Sequence, residues 1–158
     1  MERPSFEDWY RGTHPRVVGV VAALTGRRDV AIDATDEAFV RAWARWERVS
    51  KMEAPEAWTV KVALNLVRRA LRHAAQDATP VSVPEPAPAT DPELWELVRS
   101  LSGQQRTAVV LRHIGGFSYA EIAQAMGVRE GTVGSTLHAG HERLRELLVT
   151  DEEARVDG

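Results

Sequence analysis

Residues 118–148 read SYAEIAQAMGVREGTVGSTLHAGHERLRELL, and their spacing predicts two helices joined by a tight turn. Ser118 is a favourable N-cap, and Glu121 three residues later completes the capping-box pattern of a helix start. Gly127 can turn left-handed at a helix end without steric cost, and a second helix follows from Glu130. A helix, a short glycine-containing turn and a second helix are typical of DNA-binding helix-turn-helix proteins.

The second helix, predicted over 130–148, has a buried stripe and a polar face. The stripe consists of Val133, Leu137, Leu144 and Leu147. The polar side chains that can touch phosphates or base edges are Thr132, Ser135, Thr136 and His138. Neither Lys nor Arg occurs between Gly131 and His141, which predicts weak duplex binding by this helix alone, because phosphate neutralisation supplies most non-specific affinity. Since helix–glycine–helix corners also occur in proteins that bind no nucleic acid, both interpretations stay open.

Composition narrows the class of protein. The chain has 158 residues, which suits one medium domain or two small ones, and a net charge of −3. Without cysteine it has no disulfide, thiolate zinc site or thiol redox switch. It contains no apolar run of about 18 residues, and its first residues are polar rather than signal-like. We therefore expect no membrane insertion and a cytoplasmic location.

A Pro-rich stretch, residues 78–92, divides the chain. It holds five of the eight prolines, and proline fixes φ and removes a backbone donor, so a helix cannot continue through it. Extended at about 3.1 Å per residue, it predicts a semi-rigid spacer on the order of 45 Å long.

On both sides of the spacer the periodicity is helical and no strand-like alternation occurs, so the predicted fold class is all-α. The N-terminal helices are predicted over 6–24 with an interruption at Pro15, over 29–49, and over 55–75; the C-terminal ones over 92–101 and 103–114 precede the helix-turn-helix. The inward-facing side chains expected in the N-terminal half are Ile32, Phe39, Trp43, Trp46 and Trp58. Their spacing is typical of a core rather than of chemistry.

Positive charge is concentrated between Ala57 and Gln76, where no acidic residue occurs. The cations are Lys61, Arg68, Arg69 and Arg72. A face of one sign favours a helix that follows phosphates, although basic residues also suit a helix C-terminus through its dipole.

Taken together, the two halves resemble the extracytoplasmic-function sigma factors of bacterial RNA polymerase, which keep only regions 2 and 4 of their class. Region 4 is matched by LSGQQRTAVVLR (101–112), GFSYAEIA (116–123) and GVREGTV (127–133). Region 2 is matched by AIDATDEAFVRAW (31–43) and VALNLVRR (62–69).

The resemblance implies a region 2-like domain at 1–77, the linker at 78–92, a region 4-like domain at 93–150 and an acidic tail at 151–158. It implies a non-enzymatic protein without cofactor or metal. Such a protein binds core RNA polymerase and promoter DNA and directs promoter-specific initiation. An anti-sigma factor is a further partner that the sequence leaves open.

Site residues follow from the same resemblance. The segment that docks on polymerase in relatives corresponds to Asp33, Asp36, Glu37 and Arg41. The segment that contacts the −10 element, where a base is captured outside the stack, corresponds to Lys61, Asn65, Arg68, Arg69 and Arg72. The −35 reader corresponds to Arg129, Gly131, Thr132, Ser135, Thr136 and His138. From the residues alone, the acidic positions would be an ordinary solvated helix face.

The chain departs from the family pattern at several positions. Gly134 stands where relatives carry Lys or Arg, and His138, Gly140 and His141 lie in a stretch that is basic in relatives. Asp36 replaces a common Gln. The resemblance therefore predicts two missing phosphate contacts at the −35 element.

Two other functions fit parts of the sequence. A sigma-like helix-turn-helix regulator would bind DNA or polymerase without initiating transcription, as the charge-poor second helix suggests. A metal protein or enzyme built on His138 and His141 has no Cys and no third ligand at motif spacing.

Overall fold

A computed structural model describes residues 2–76 and 92–157, and the regular structure in those ranges is entirely helical. This confirms the predicted all-α class. The chain divides into two compact units, Met1–Ala87 and Pro88–Gly158. The spacer predicted over 78–92 lies, except for Pro92, outside the described residues.

The N-terminal unit contains α1 (Phe6–Thr25), α2 (Arg28–Ala44), the single-turn α3 (Trp46–Val49) and α4 (Pro55–Gln76). The helices α1, α2 and α4 pack against one another. Helix α1 begins where the Ser5 hydroxyl accepts a hydrogen bond from the Asp8 amide, and it ends at Gly26, whose φ of 65° is left-handed.

Helix α1 continues through Pro15, so the predicted interruption is wrong. Proline removes one backbone hydrogen bond from a helix. Here Thr13, Val17 and Val20 are buried on either side of it. Burial of this face against α2 and α4 outweighs the lost bond.

Helix α2 buries a stripe of small side chains, and this corrects two predictions. The stripe is formed by Ala31, Ala34, Thr35, Ala38, Phe39 and Ala42. The predicted core residue Trp43 is 65% exposed, because the alanine stripe brings α2 close to its neighbours and places the adjacent position outside. The predicted long helix over 29–49 is also broken at Arg45, which separates α2 from α3.

Aromatic rings close one end of the N-terminal unit. The ring of Trp9 lies 4.9 Å from that of Trp46 and 5.1 Å from that of Phe39, and Phe6 meets Trp46 edge-on at 5.3 Å. For Phe39 and Trp46, therefore, the predicted structural role is confirmed.

The C-terminal unit contains α5 (Pro92–Arg99), α6 (Gly103–His113), α7 (Tyr119–Met126) and α8 (Glu130–Val156). Helix α8 packs on the other three. Their shared core is made of large, fully buried side chains, among them Leu111, Phe117, Ile122, Val133 and Leu137.

Helix α8 extends to Val156, so the predicted helix end at 148 is wrong. The segment predicted as an acidic tail, 151–158, is helical as far as Val156. In the last turn, Arg155 pairs with Asp151 at 3.0 Å and with Glu93 of α5 at 2.6 Å. These exposed pairs connect the end of α8 with itself and with α5.

Candidate nucleic-acid interface

The helix-turn-helix forms as predicted. At the start of α7 the Ser118 hydroxyl accepts a hydrogen bond from the Glu121 amide, and the Glu121 carboxylate accepts one from the Ser118 amide, which completes the capping box. Gly127 ends that helix with a φ of 69°. Val133 and Leu137 anchor α8 in the core. Helix α8 thereby presents its opposite face at the surface.

Most of the predicted −35 residues lie on that exposed face. Exposed positions are Arg129, Gly131, Thr132, Ser135 and His138, whereas Thr136 is half-buried. The Ser135 hydroxyl donates to the Thr132 carbonyl at 3.0 Å, which leaves its oxygen lone pairs available as acceptors. Arg129 occupies the N-cap without a side-chain cap bond, so the first amides of α8 face outward beside a cation.

Cations further along α8 are neutralised locally. Arg143 pairs with Glu146 at 3.1 Å, and Arg145 pairs with Glu142. Exposed pairs of this kind contribute little stability, but they reduce the positive charge that the helix offers to a phosphate. Side-chain pairing therefore lowers the positive charge of α8 below what the sequence alone indicates.

The two helix glycines and His141 occupy different environments. A Cβ at Gly134 would lie 3.8 Å from the Tyr119 ring, which is ordinary contact, whereas a Cβ at Gly140 would lie 3.1 Å from Val109 of α6. Gly140 is buried and His141 contacts His113 of α6. Positions 140 and 141 therefore serve the α6–α8 packing, and only positions 134 and 138 could restore a phosphate contact.

Helix α4 carries the predicted −10 residues on one exposed face. They are Lys61, Asn65, Arg68, Arg69 and Arg72. Asn65 accepts a hydrogen bond from Arg68 at 3.3 Å. Among the described residues, none of the four cations is engaged in an ion pair. Their full charge is available to a polyanion.

Two cavities adjoin this basic face. One, of about 410 Å³, lies along it and is lined by Arg41, Val62, Asn65, Leu66, Arg68, Arg69 and Arg72. The second, of about 260 Å³, is lined by three arginines and four apolar side chains, namely Arg41, Arg45, Arg48, Val49, Met52, Trp58 and Val62. Both share Arg41, so the structure brings this predicted polymerase-docking residue to the −10 residues.

Sequence reasoning missed Arg45 and Arg48. Their signal is the spacing of Arg41, Arg45 and Arg48, which is helical within the helix predicted over 29–49 and places the three arginines near one another across the α2–α3 junction. The structure also gives Trp58 a place on the cavity wall that helical periodicity assigned to the core.

The predicted docking acids lie on the outer face of α2. Asp33, Asp36 and Glu37 are exposed; Asp36 pairs with His14 at 2.7 Å, and Glu37 pairs with Arg41 at 3.0 Å. Along the same helix lie two exposed apolar residues, Val40 (57% exposed), which the sequence did not single out, and Trp43, which the sequence assigned to the core. An apolar pair bordered by acids is a typical protein-binding surface.

The described parts of the chain contain no cluster of three or more His, Cys, Asp or Glu arranged to hold a metal ion. Within the same residues, no helix is long and apolar enough to cross a membrane.

Both halves of the chain match models of known protein families. Residues 9–76 match the family model for Sigma-70 region 2, and residues 92–144 match that for Sigma-70, region 4. The chain is 32% identical over 158 residues to the RNA polymerase sigma factor CarQ of Myxococcus xanthus, covering 91% of this chain and 89% of that protein. It is 30% identical over 159 residues to the RNA polymerase sigma-E factor of Streptomyces coelicolor, covering 95% and 90%.

A solved structure shares the fold. The sigma factor RpoE of Bartonella quintana, solved in complex with the anti-sigma factor NepR, superposes with a TM-score of 0.74 at 24% identity, covering 92% of this chain and 98% of that one.

The fold and its basic and helix-turn-helix surfaces define a two-domain, non-enzymatic transcription initiation factor of the sigma-70 class. The chain belongs to the extracytoplasmic-function family of RNA polymerase sigma factors. It binds core RNA polymerase and directs promoter-specific initiation.

Proposed function

We propose that the N-terminal unit docks on polymerase and opens the −10 element, while the C-terminal unit reads the −35 element, in the cytoplasm. The observation that carries this division is the basic face of α4 with its adjoining cavities, set against an α8 whose arginines are paired. The basic face of α4 thus supplies strong electrostatic attraction during promoter opening, when the separated strands must be held.

At the −10 element, Lys61, Arg68, Arg69 and Arg72 would neutralise phosphates and Asn65 would hydrogen-bond a base edge. The 260 Å³ cavity suits an unstacked nucleobase, because its lining combines apolar side chains, the indole of Trp58 and three arginines. Stacking on an aromatic ring and neighbouring positive charge are the means by which proteins hold flipped bases.

Arg41 connects the surface proposed to bind polymerase with the surface proposed to bind the −10 element. Its guanidinium pairs with Glu37 of the acidic face and lines both cavities of the basic face. We assign Asp33, Asp36 and Glu37, with the apolar Val40 and Trp43, to polymerase. Complementary charge there sets register and on-rate, and burial of the exposed Trp43 indole against polymerase would supply the affinity.

At the −35 element, α8 would enter the major groove with Thr132, Ser135, Thr136 and His138 towards the bases. Gly131 permits close approach of the backbone, and Arg129 with the first amides of α8 binds a phosphate. Because this set is poor in charge, we assign its affinity to tethering, by polymerase and by the Pro-rich segment 78–92, which raises the local concentration of the helix at its site.

An anti-sigma factor is proposed as a regulatory partner. RpoE of Bartonella quintana was solved with the anti-sigma factor NepR, and CnrH, at 18% identity and a TM-score of 0.64, with the cytosolic domain of CnrY. A partner that covers Val40 and Trp43 would compete with polymerase for the same exposed apolar side chains.

Run-off transcription with purified bacterial core polymerase tests the proposal. Promoter fragments are first selected by this protein from the source genome, and initiation is expected only when the chain is added. Binding to polymerase without initiation would favour a non-initiating sigma-like regulator, an alternative suggested by the paired arginines of α8. Absence of polymerase binding would overturn the proposal.

A further inference from the structure

The imidazoles of His113 and His141 meet on the surface of the C-terminal unit. His113 is the last residue of α6 and His141 lies midway along α8, and their Nε2 atoms are 2.9 Å apart. The ring centroids are separated by 5.1 Å with the planes tilted by 56°. As neutral rings they can share one hydrogen bond in which one Nε2 donates and the other accepts.

The separation of the two nitrogens also fits chelation. With metal–nitrogen bonds of about 2.0–2.1 Å, nitrogens in cis positions at 90° lie about 2.9 Å apart, and those at a tetrahedral angle about 3.3 Å apart. The observed 2.9 Å equals the cis spacing of square-planar and octahedral ions, which Cu²⁺ and Ni²⁺ adopt with imidazole ligands. The centroid separation of 5.1 Å shows that the two Nε2 atoms face each other, as in a hydrogen bond. Each ring would therefore have to turn about its side-chain bonds to direct its lone pair at a shared ion.

The backbone beside the pair is held in place by packing. Gly140 precedes His141 and is buried against α6, where an added Cβ would come within 3.1 Å of Val109 and 3.6 Å of Gln105. Val109 lies one turn before His113 on α6. Because the helices already touch at this crossing, rotation of the two side chains, and not movement of the backbone, would bring the imidazoles to one ion.

A metal ion would bind both imidazoles in their neutral form. His113 is exposed to solvent, which leaves the remaining coordination positions open to water.

We propose that His113 and His141 form a two-histidine site for a divalent transition-metal ion of the Cu²⁺ or Ni²⁺ type. The ion would connect α6 to α8, the helix that carries the predicted −35 residues. This site differs from the His138/His141 site that the sequence suggests, because those two histidines both lie on α8, whereas His113 and His141 lie on two different helices.

Titration of the untagged full chain with NiCl₂ by isothermal calorimetry tests the site, with His113→Gln, His141→Gln and His138→Gln compared. One Ni²⁺ per chain is expected, with affinity reduced at least tenfold by either His113→Gln or His141→Gln, because a chelate is lost. His138→Gln is the matched control, exposed and one turn from His141, and should bind like the parent.

Two further measurements guard against altered folding. Circular dichroism without metal should be the same for all variants, and the thermal midpoint should rise with Ni²⁺ for the parent and for His138→Gln only. Electron paramagnetic resonance with one equivalent of Cu²⁺ should show two coupled imidazole nitrogens, and one in His113→Gln. Loss of binding in His138→Gln with retention in His113→Gln, or equal binding by all variants, would overturn the proposal.

Discussion

Helices α4 and α8 both face nucleic acid in our proposal, yet they differ in how they use charge. Helix α4 exposes Lys61, Arg68, Arg69 and Arg72 on one face. Helix α8 pairs Arg143 and Arg145 with glutamates of its own and has glycine at position 134. The difference indicates that one protein can place most of its salt-dependent affinity at the −10 element and keep the −35 contact weak and dependent on tethering.

Helix α4, and not α8, should hold the opened DNA. Replacing Arg68 and Arg69 by Ala should reduce open-complex formation roughly 100-fold, since each lost contact costs about 1–2 kcal/mol. Polymerase binding should be unchanged. Fluorescence of a 2-aminopurine placed in the −10 element reports opening.

The matched control for that variant is Arg143→Ala with Arg145→Ala, which removes two arginines of α8 already paired with glutamates. It should open promoters nearly as well as the parent. Equal defects in both double variants would mean that the total charge of the protein governs opening, and not the location of the arginines on α4.

The acidic–apolar face of α2 should bind polymerase and not DNA. Asp36→Lys with Glu37→Lys should weaken affinity for core polymerase roughly tenfold, mainly through a slower on-rate, because rim charges steer association. Surface-immobilised polymerase gives both rates. Glu152→Lys with Glu153→Lys makes the same change of charge on exposed positions of α8 and should leave the on-rate alone.

The weakness of α8 should be correctable at one position. Gly134→Lys should tighten binding to a −35 duplex several-fold at low salt and steepen the dependence of log K on log salt by about 1. The position accepts a side chain, since an added Cβ lies 3.8 Å from Tyr119. Fluorescence anisotropy across a salt series measures both effects.

Gly134→Ala separates charge from helix propensity. It should stabilise α8 by up to about 1 kcal/mol without changing affinity or salt slope. If Gly134→Lys behaves like Gly134→Ala, position 134 does not face the phosphates.

The smallest effect concerns pH. Burial lowers the pKa of His113, so the unfolded chain takes up a proton at a higher pH than the folded one does. Stability of the C-terminal unit should be complete above the ordinary value of 6.5 and fall as pH decreases below it. Because His113 is mostly exposed, the fall should be small, about 1–2 °C in the unfolding midpoint.

Hydrogen exchange of α6 and α8 amides in the full chain follows this unit separately. His113→Gln should flatten the pH dependence between 6.5 and 5 without changing the high-pH limit. A pH dependence that persists in this variant would assign it to another group.

Prediction from the sequence succeeded where the determining contacts are local. The capping box at Ser118 and Glu121, the left-handed Gly127 and the one-sided basic face of α4 depend on residues at most one to three helical turns apart. It failed for Trp43, because a large aromatic at helical spacing is a strong core signal when neighbouring alanines are not recognised as the packing stripe.

The amino-acid pattern alone was sufficient for the all-α class, the helix-turn-helix and the uneven distribution of charge, since each is set by near neighbours along the chain. Only packing between helices brought Arg41 beside Asn65, joined Arg155 to Glu93 across 62 residues, and set His113 against His141 across 28. Such pairs depend on which faces of distant helices meet and on how closely small residues such as Gly140 allow them to approach. No local periodicity encodes that distance.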